Sequence, residues 1–179
     1  LQISQQQQID YIIFSSQHGE LSRTVSLLED IIKGEDASPM FFSQSVHNTA
    51  AGLFTIASKR ATPVTSLASA ENGLPNAMIE AYCYLNEHPS HQVLVVDFDE
   101  PVAQIYQQYE HQQYQIYALA MIISAGDNCS LSRAPESAFE NAELRSLPHA
   151  LQLINNIVSG EKIATISSNK QHWQWQITT

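Results

Sequence analysis

Short apolar runs and stretches of helical periodicity alternate along the chain. Three runs, Ile9–Ser16, Val93–Phe98 and Tyr117–Ser124, are apolar and rich in β-branched residues, as in strands that are buried within a sheet. Between these runs, apolar residues recur every three or four positions, which indicates amphipathic helices. Because strands alternate with helices, the pattern predicts an α/β fold in which a mixed β-sheet is layered with helices.

Four helices follow from this periodicity. Their apolar positions run from Leu21 to Ile32, from Val46 to Ala57, from Leu74 to Leu85 and from Leu144 to Ile157. Gly34 and Gly160 follow the first and the last of these stretches, and glycine there is typical of a helix C-terminal end. Ser45 is the predicted N-terminal cap of the second helix.

The remaining segments predict another strand, a loop and a pair of strands. Thr62–Ala68 is rich in β-branched residues and contains Pro63, so we expect a strand with one constrained end. Pro39–Phe42 is predicted to be a loop that carries three large apolar side chains. Near the end of the chain, Ile163–Ser167 and His172–Ile177 are expected to pair antiparallel at one edge of the sheet.

The length and the charge of the chain limit its function. With 179 residues, of which 44% are hydrophobic, the chain can form a single compact domain over residues 1–179. Eight basic and eighteen acidic residues give a net charge of −10, which argues against binding to nucleic acid or to an anionic membrane surface. No apolar run has the length of a membrane span.

The ends of the chain and its cysteines bear on its cellular location. Two cysteines in 179 residues are too few for a disulfide scaffold. Leu1–Asp10 does not have the pattern of a signal peptide, so we expect a cytoplasmic protein. Because the first residue is Leu1 rather than methionine, we also expect that the natural N-terminus lies further upstream.

Candidate nucleophiles and metal ligands are weak. Cys83 lies in the middle of a predicted helix and Cys129 in a polar loop, whereas reactive thiolates need an electropositive environment, so both are interpreted as ordinary thiols. Asp97, Asp99 and Glu100 could bind a divalent cation, but a solvated strand end is the simpler interpretation. With no metal-ligand spacing and no glycine-rich nucleotide loop, we expect neither a metal nor a cofactor.

One arrangement of residues resembles a known family. The segment Ser38–Leu53 contains, in order, Pro39 before aromatic residues, then Asn48, Ala51 and Gly52. It is followed by the predicted strand and turn of Thr62–Gly73 and by an amphipathic helix. This order resembles the N-terminal half of the β-ketoacyl synthases, which have the thiolase-like fold. The resemblance is strongest over residues 9–125 and does not place residues 135–179, the predicted last helix and strand pair.

The resemblance implies a domain that has lost its catalytic residue. In the family, the catalytic cysteine precedes a glycine by three residues at the start of a buried helix, which places Ala70 of this chain at the nucleophile position before Gly73. Glu71 would add negative charge where an oxyanion forms. The catalytic histidines and lysine of the family lie in its second half, which this chain is too short to contain. The resemblance therefore implies a protein that catalyses no condensation.

A narrower resemblance fits this loss. The segments Phe14–Leu21 and Ser45–Asn48 look like those of the short chain length factors of aryl polyene type II ketosynthase pairs. Larger chain length factors often carry glutamine at the cysteine position, and Ala70 departs from that. Such proteins are non-catalytic and shape the tunnel in which the acyl chain grows. The resemblance thus implies a heterodimer with an active ketosynthase, through which an acyl carrier protein is reached indirectly.

The same resemblance names candidate tunnel and interface residues. They are Met40, Phe41, Phe42, Asn48, Thr62, Val64, Thr65, Ser66 and Leu67. The strand Thr62–Ala68 is expected to pair antiparallel with the partner subunit, so that Thr65→Pro should break the interface. From the residues alone, Phe41 and Phe42 could instead be core side chains, and Asn48 could bind a buried backbone group.

Two other functions remain open from the sequence. A free-standing acyltransferase or thioester hydrolase would use Ser69 or a cysteine together with a histidine, although no motif indicates it. A degenerate homodimeric scaffold would need no partner of another kind. Acylation of the isolated chain would favour the first, and mass measured with and without a ketosynthase would distinguish the second.

Overall fold

The computed structural model describes residues 8–113, 115–135, 146–168 and 171–177. The helices of this part of the chain are α1 (Leu21–Ile32), α2 (Pro39–Ser43), α3 (Thr49–Ser58), α4 (Gly73–Glu87) and α5 (His149–Val158), with 3₁₀ turns at Ala70–Asn72 and Gln104–Tyr109. Its strands are β1 (Tyr11–Ser15), β2 (Val64–Leu67), β3 (Gln92–Asp99), β4 (Tyr117–Ser124), β5 (Cys129–Arg133), β6 (Ile163–Ser167) and β7 (His172–Ile177). The predicted α/β fold with a mixed sheet is confirmed.

The first sheet has four strands in the order β2-β1-β3-β4. β1 is parallel to both β2 and β3, and β4 returns antiparallel to β3 over eight residue pairs. β1 and β3 lie inside the sheet, so their side chains are mostly buried, whereas β2 and β4 form its two edges. β4 is therefore not the fully buried strand that its apolar sequence indicates: Ala118 and Ala120 are exposed.

The second sheet is separate from the first and entirely antiparallel. Its strand order is β5-β7-β6. The predicted pairing of Ile163–Ser167 with His172–Ile177 is correct, but its predicted place at the edge of the first sheet is wrong. The third strand, β5, contains Cys129 in a segment that the sequence indicated as a loop, because its serines do not produce an apolar alternation.

Helices α4 and α5 lie between the two sheets and form the main core with them. The side chains that this core shares are small or aliphatic on the helices and aromatic on β7, where Trp173 and Trp175 point to the same face. Gln152 on α5 is fully buried and donates to the carbonyl groups of Leu147 and Ser167, both at 2.7 Å, while it accepts the Ser167 N–H at 2.8 Å. These bonds fix α5 to β6 without leaving the buried amide unpaired.

The opposite face of the first sheet packs against α3. Phe14 on β1 makes edge contacts with Phe54 on α3 at 5.8 Å and with Phe98 on β3 at 6.1 Å, measured between ring centroids. Ala51 of α3 is also buried in this smaller core. The sheet thus separates a large core on one side from a smaller aromatic core on the other.

Two local predictions differ from the structure near α2 and α3. Pro39–Phe42 is not a loop: it opens the five-residue helix α2, because Ser38 accepts the Phe41 N–H as an N-terminal cap and proline fits the first helical position. Ser45 is not the cap of α3, which begins at Thr49 after Asn48.

Two further observations concern the helices. The predicted start of the last helix at Leu144 lies outside the described residues, and α5 is described only from His149 onward. Among the residues that the structure describes, no helix combines the length and the hydrophobicity that crossing a bilayer requires.

Candidate functional site

The link between β2 and α4 is a sharp turn with Ala70 at its start. β2 ends at Leu67, the 3₁₀ turn begins at Ala70, and α4 follows directly at Gly73. Ala70 has a φ of 49°, in the left-handed region, which disfavours a residue with a Cβ by about 1 kcal/mol. A strand, a strained turn and a helix in this order present the side chain of the turn at the helix N-terminus, as nucleophile turns do. Here that side chain is a methyl group.

Contacts from distant segments hold this turn in place. Trp173 of β7 donates its indole N–H to the Asn72 side-chain oxygen at 3.0 Å. Gly73 packs so closely against the first sheet that a Cβ there would lie 2.6 Å from the Ser15 Oγ and 3.1 Å from the Asp97 Oδ1. The start of α4 is therefore fixed by both sheets, and with it the position of Ala70.

Asp97 is a buried acid at the end of β3, directly below the turn. It accepts a hydrogen bond from the Tyr117 hydroxyl at 3.1 Å. Burial raises the pKa of Asp97 to about 6, against the lowering effect of the Ser15 and Tyr117 hydroxyls, and the nearby charge of Asp99 raises it further. The interpretation of Asp97 and Asp99 as a solvated strand end is wrong, since both are buried. No cluster of three potential metal ligands occurs among the residues that the structure describes.

Asp99 fixes the loop between β1 and α1. Its carboxylate accepts hydrogen bonds from the Ser16 hydroxyl at 3.0 Å, from the Gln17 N–H at 2.7 Å and from the His18 N–H at 3.1 Å. Burial nevertheless raises the pKa of Asp99, although these three donors act in the opposite direction. The same loop contacts the connection between α2 and α3, because a His47 ring nitrogen lies 3.0 Å from the Ser16 carbonyl oxygen.

His149, the first residue of α5, lines the same small cavity as Ala70. Its side chain is 3% exposed, and its ring lies beside the Ser167 backbone and His172, although neither ring nitrogen makes a hydrogen bond of regular geometry within the described part of the chain. Burial lowers the pKa of His149 to about 4, an effect that the nearby Ser167 backbone only partly offsets. No sequence pattern indicated a buried histidine at this position. Pro148 was a missed signal, because proline before an apolar periodic stretch often marks a helix start.

A larger groove lies on the other side of β3, beside α2. It has a volume of about 720 Å³ and is open to solvent. Its walls include the aromatic and aliphatic side chains of Phe14, Phe41, Val96 and Phe98. Arg23 of α1 lies at the rim, with its guanidinium 5.9 Å from the centre of the Phe41 ring. Charged residues, among them Glu20 and Glu100, also line the groove, so only part of its wall is suited to contact with a slender apolar chain.

The candidate residues of α2 are more exposed than core side chains. Phe41 is 42% exposed and lines the groove, while Met40 and Phe42 are 61% and 68% exposed. Asn48 is also exposed and its side chain makes no capping hydrogen bond to α3. The structure therefore excludes the simple core interpretation of Phe42 and the buried role considered for Asn48.

The backbone groups of the candidate residues in β2 point alternately toward β1 and toward the open edge of the sheet. The β1 N–H groups of Ile12 and Ser16 bond to the carbonyl groups of Pro63 and Leu67, so the odd-numbered backbone groups of β2 face β1. By the alternation of a strand, the N–H and C=O groups of Val64 and Ser66 face the open edge. The backbone groups of Thr65 thus belong to the ladder within the chain, so Thr65→Pro would remove a donor to β1 rather than one at the open edge. Its side chain also points inward and bonds to the Tyr11 hydroxyl, and Thr62 precedes the strand.

The two layered sheets and the turn at Ala70 define a ketosynthase-like domain. Residues 1–176 match the family model of the β-ketoacyl synthase N-terminal domain, and the chain belongs to this family. It is similar to a chain in the complex of the ketosynthase ApeO with its chain length factor ApeC from Xenorhabdus doucetiae, with 27% sequence identity and a TM-score of 0.86. The similarity covers 98% of this chain and 72% of that chain. The comparison with curated proteins found no match.

The family match also covers most of residues 135–179, the segment that the resemblance seen in the sequence did not place. The family match ends at residue 176 and so includes α5 and the strands of the second sheet. The resemblance to β-ketoacyl synthases that the sequence indicated for residues 9–125 is confirmed, and it extends over almost the whole chain.

We expect Gly73→Ala to destabilise the fold by about 1–3 kcal/mol, because the added methyl group would overlap the Ser15 hydroxyl in a packed core. Urea unfolding of both proteins would measure the difference. Gly52→Ala is the matched control: it lies within α3 with open space around it, so better helix propensity should stabilise the chain by up to about 1 kcal/mol. Equal effects of the two substitutions would contradict the close approach at Gly73.

The buried acid predicts a pH-dependent difference between the natural chain and Asp97→Asn. Because the folded pKa of Asp97 is about 6 and its ordinary value is 3.8, its stabilising contribution is complete below pH 3.8 and is lost as pH rises through 6. Asparagine does not ionise, so the variant does not lose this stabilising contribution as the pH rises. The free energy of unfolding of the variant, relative to the natural chain, should therefore rise by up to about 3 kcal/mol between pH 4 and pH 7.

The contribution of His149 to the free energy of unfolding changes with pH in the opposite direction, over an overlapping pH range. Its folded pKa is lowered to about 4, so its contribution is complete above pH 6.5 and is lost as pH falls through 4. This contribution is common to both proteins and cancels in the difference between them. Urea titrations at several pH values would test the prediction, and a difference that does not change with pH would refute it.

Proposed function

We propose that this chain is a non-catalytic chain length factor, which forms a heterodimer with an active ketosynthase and shapes its acyl tunnel in aryl polyene biosynthesis. Two observations, taken together, carry the proposal. The chain aligns over 98% of its length with a chain of a ketosynthase–chain length factor complex, yet it has Ala70 in the turn where the family carries its nucleophile.

The environment of Ala70 supports the absence of catalysis. A methyl group cannot form an acyl intermediate. The cavity beside it is lined by Asp97, Asp99 and Glu71, and carboxylates there oppose the negative charge that develops on a thioester oxygen during acyl transfer. The helix N-terminus of α4 is retained, but its favourable dipole faces acidic groups of the chain itself.

The open edge of β2 supports pairing with a partner subunit. Two residues, Val64 and Ser66, direct their backbone groups away from β1, and Val64 is itself exposed. α3 packs beside this strand and exposes Leu53 and Ile56. An unpaired strand with apolar side chains next to it is suited to strand addition across an interface. A partner would also supply the basic surface for a carrier protein, since this chain has a net charge of −10.

The groove beside α2 supports a role in tunnel shape. Phe41 forms part of its apolar wall, and Met40 and Phe42 next to it are largely exposed. In the proposed heterodimer, α2 lies against the partner and these three side chains limit the space for the growing chain. Asn48 follows on the same connection to α3 and belongs to this surface.

Co-expression with a candidate ketosynthase partner tests the proposal directly. Native mass spectrometry should show a 1:1 unit or a multiple of it, and an acyl group from a carrier protein should be found on the ketosynthase alone. Acylation of this chain would instead indicate the acyltransferase or hydrolase alternative. A homodimer that persists in the presence of the ketosynthase would indicate the scaffold alternative.

We expect Ser66→Pro to weaken the heterodimer while the chain itself remains folded. Proline removes an N–H that faces the open edge, where proline is tolerated within a sheet but cannot donate to a partner strand. Thr65→Pro is the matched control, because it removes a donor to β1 and should destabilise the isolated chain as well. Circular dichroism and the dissociation constant of the heterodimer would separate the two effects. If Ser66→Pro assembles as tightly as the natural chain, β2 is not at the interface.

We expect Phe41→Ala to lengthen the products of the heterodimer or to broaden their distribution. The truncation removes a ring from the wall of the groove, while its cost in stability should be only about 1–2 kcal/mol because Phe41 is 42% exposed. Phe54→Ala is the control, since Phe54 packs on Phe14 in the smaller core. It should reduce the amount of folded heterodimer but leave the product distribution unchanged. Mass spectrometry at equal amounts of heterodimer measures the distribution, and an unchanged distribution for Phe41→Ala would remove it from the tunnel.

A further inference from the structure

Helix α2 is not held in place by a buried face. None of its five residues, Pro39–Ser43, is buried. Among the helices and strands that the structure describes, α1 is the element against which α2 packs most extensively. A short helix without a buried face gains little from the hydrophobic effect or from its own propensity. The position of α2 therefore depends on its contacts with α1.

Hydrogen bonds connect α1 to the residues that directly follow α2. The Arg23 guanidinium donates from Nη1 to the Gln44 side-chain oxygen at 3.2 Å. One residue further along α1, the Thr24 hydroxyl donates to the Ser45 carbonyl oxygen at 3.4 Å. The Thr24 bond is long for a hydroxyl donor, whereas the Arg23 bond is charge-assisted. Arg23 thus makes the stronger of these two connections.

Arg23 is oriented toward α2 by a contact within its own helix. Glu20, the residue before α1, accepts a hydrogen bond from the Arg23 Nε at 3.2 Å, and the two side chains form an ion pair. Because the guanidinium is planar and rigid, a fixed Nε also fixes the direction of Nη1. In this position the central guanidinium carbon lies 5.9 Å from the centre of the Phe41 ring, within the range of a cation–π contact. Arg23 therefore contacts α2 both at Phe41 and at its C-terminal cap, Gln44.

We propose that Arg23 is a positioning residue, which holds α2 so that Phe41 keeps its place in the wall of the groove. Both side chains line the groove. Without the guanidinium, α2 loses its strongest polar connection to α1, so Phe41 takes up a wider range of positions and this wall becomes less sharply defined. The consequence for the products rests on the proposed function, in which Phe41 limits the growing chain. The effect on α2 itself does not.

Hydrogen exchange of the full chain, followed by mass spectrometry, tests the effect on α2. The Phe42 and Gln44 N–H groups report on it, because they bond to the carbonyl groups of Ser38 and Met40. Arg23→Gln should accelerate exchange over residues 42–44 by about two- to tenfold, since a helix with few other contacts loses one hydrogen bond. Lys33→Gln is the matched control, because it removes an exposed positive charge at the end of the same helix. Unchanged exchange in Arg23→Gln, or equal acceleration in the control, would overturn the proposal.

Gln44→Leu tests whether Arg23 acts through the contact with the cap. This variant keeps the guanidinium but removes its acceptor, so exchange over residues 42–44 should again accelerate. Combined with Arg23→Gln it should add little further acceleration, because both substitutions remove the same bond. Two accelerations that multiply in the double variant would show that the residues act independently, which contradicts the proposed mechanism.

Product analysis of the heterodimer tests the consequence for the groove. Arg23→Gln should shift the product-length distribution in the same direction as Phe41→Ala, but by less. The amount of heterodimer should stay close to that of the natural chain, since a partly exposed ion pair contributes little to stability. If Phe41→Ala shifts the distribution and Arg23→Gln does not, Arg23 does not position the wall. If neither variant shifts it, the tunnel role in the proposed function is wrong, and the exchange experiment alone decides whether Arg23 holds α2.

Discussion

The close approach of α4 to the first sheet is the constraint on which the site depends. At Gly73 the helix begins so near the sheet that a larger residue would collide with the Ser15 hydroxyl and crowd the Asp97 carboxyl group. This contact fixes where the helix starts, and the short turn before it must then bend sharply to reach β2. Ala70 consequently takes a left-handed backbone although it carries a Cβ. Trp173, from the other sheet, fixes the turn from the opposite side.

The packing of α4 against the sheet changes the ionisation of the acidic residues at the C-terminal end of β3. Asp97 is buried beneath the helix start, where desolvation favours its protonated form, while Asp99 is used to fix the loop that leads to α1. Both carboxyl groups therefore have structural partners within the chain. In the proposed assembly, the methyl group of Ala70 takes the position of the family's nucleophile, at the turn that precedes α4. The proposed assembly with a ketosynthase assigns the chemistry to that partner.

The two surfaces proposed for assembly arise from different parts of the fold. The edge of β2 is open because the sheet ends there, and strand alternation decides that Val64 and Ser66 face outward. The groove near Phe41 is open because α2 covers only part of the aromatic side of the sheet. Both surfaces carry exposed apolar side chains, which water disfavours and a partner would cover.

The sequence by itself determined the elements whose signals are local. Helical periodicity predicted α1 and α4, and continuous apolar runs predicted β1 and β3, because these patterns depend only on neighbouring residues. The short helix α2 and the strand β5 were missed, since a cap and a polar edge strand give weak patterns. Only the tertiary structure decided that Asp97 is buried, that Thr65 faces inward and that His149 and Ala70 line one cavity. Each of these facts depends on contacts between segments far apart in the chain, and no local pattern of polarity records such contacts.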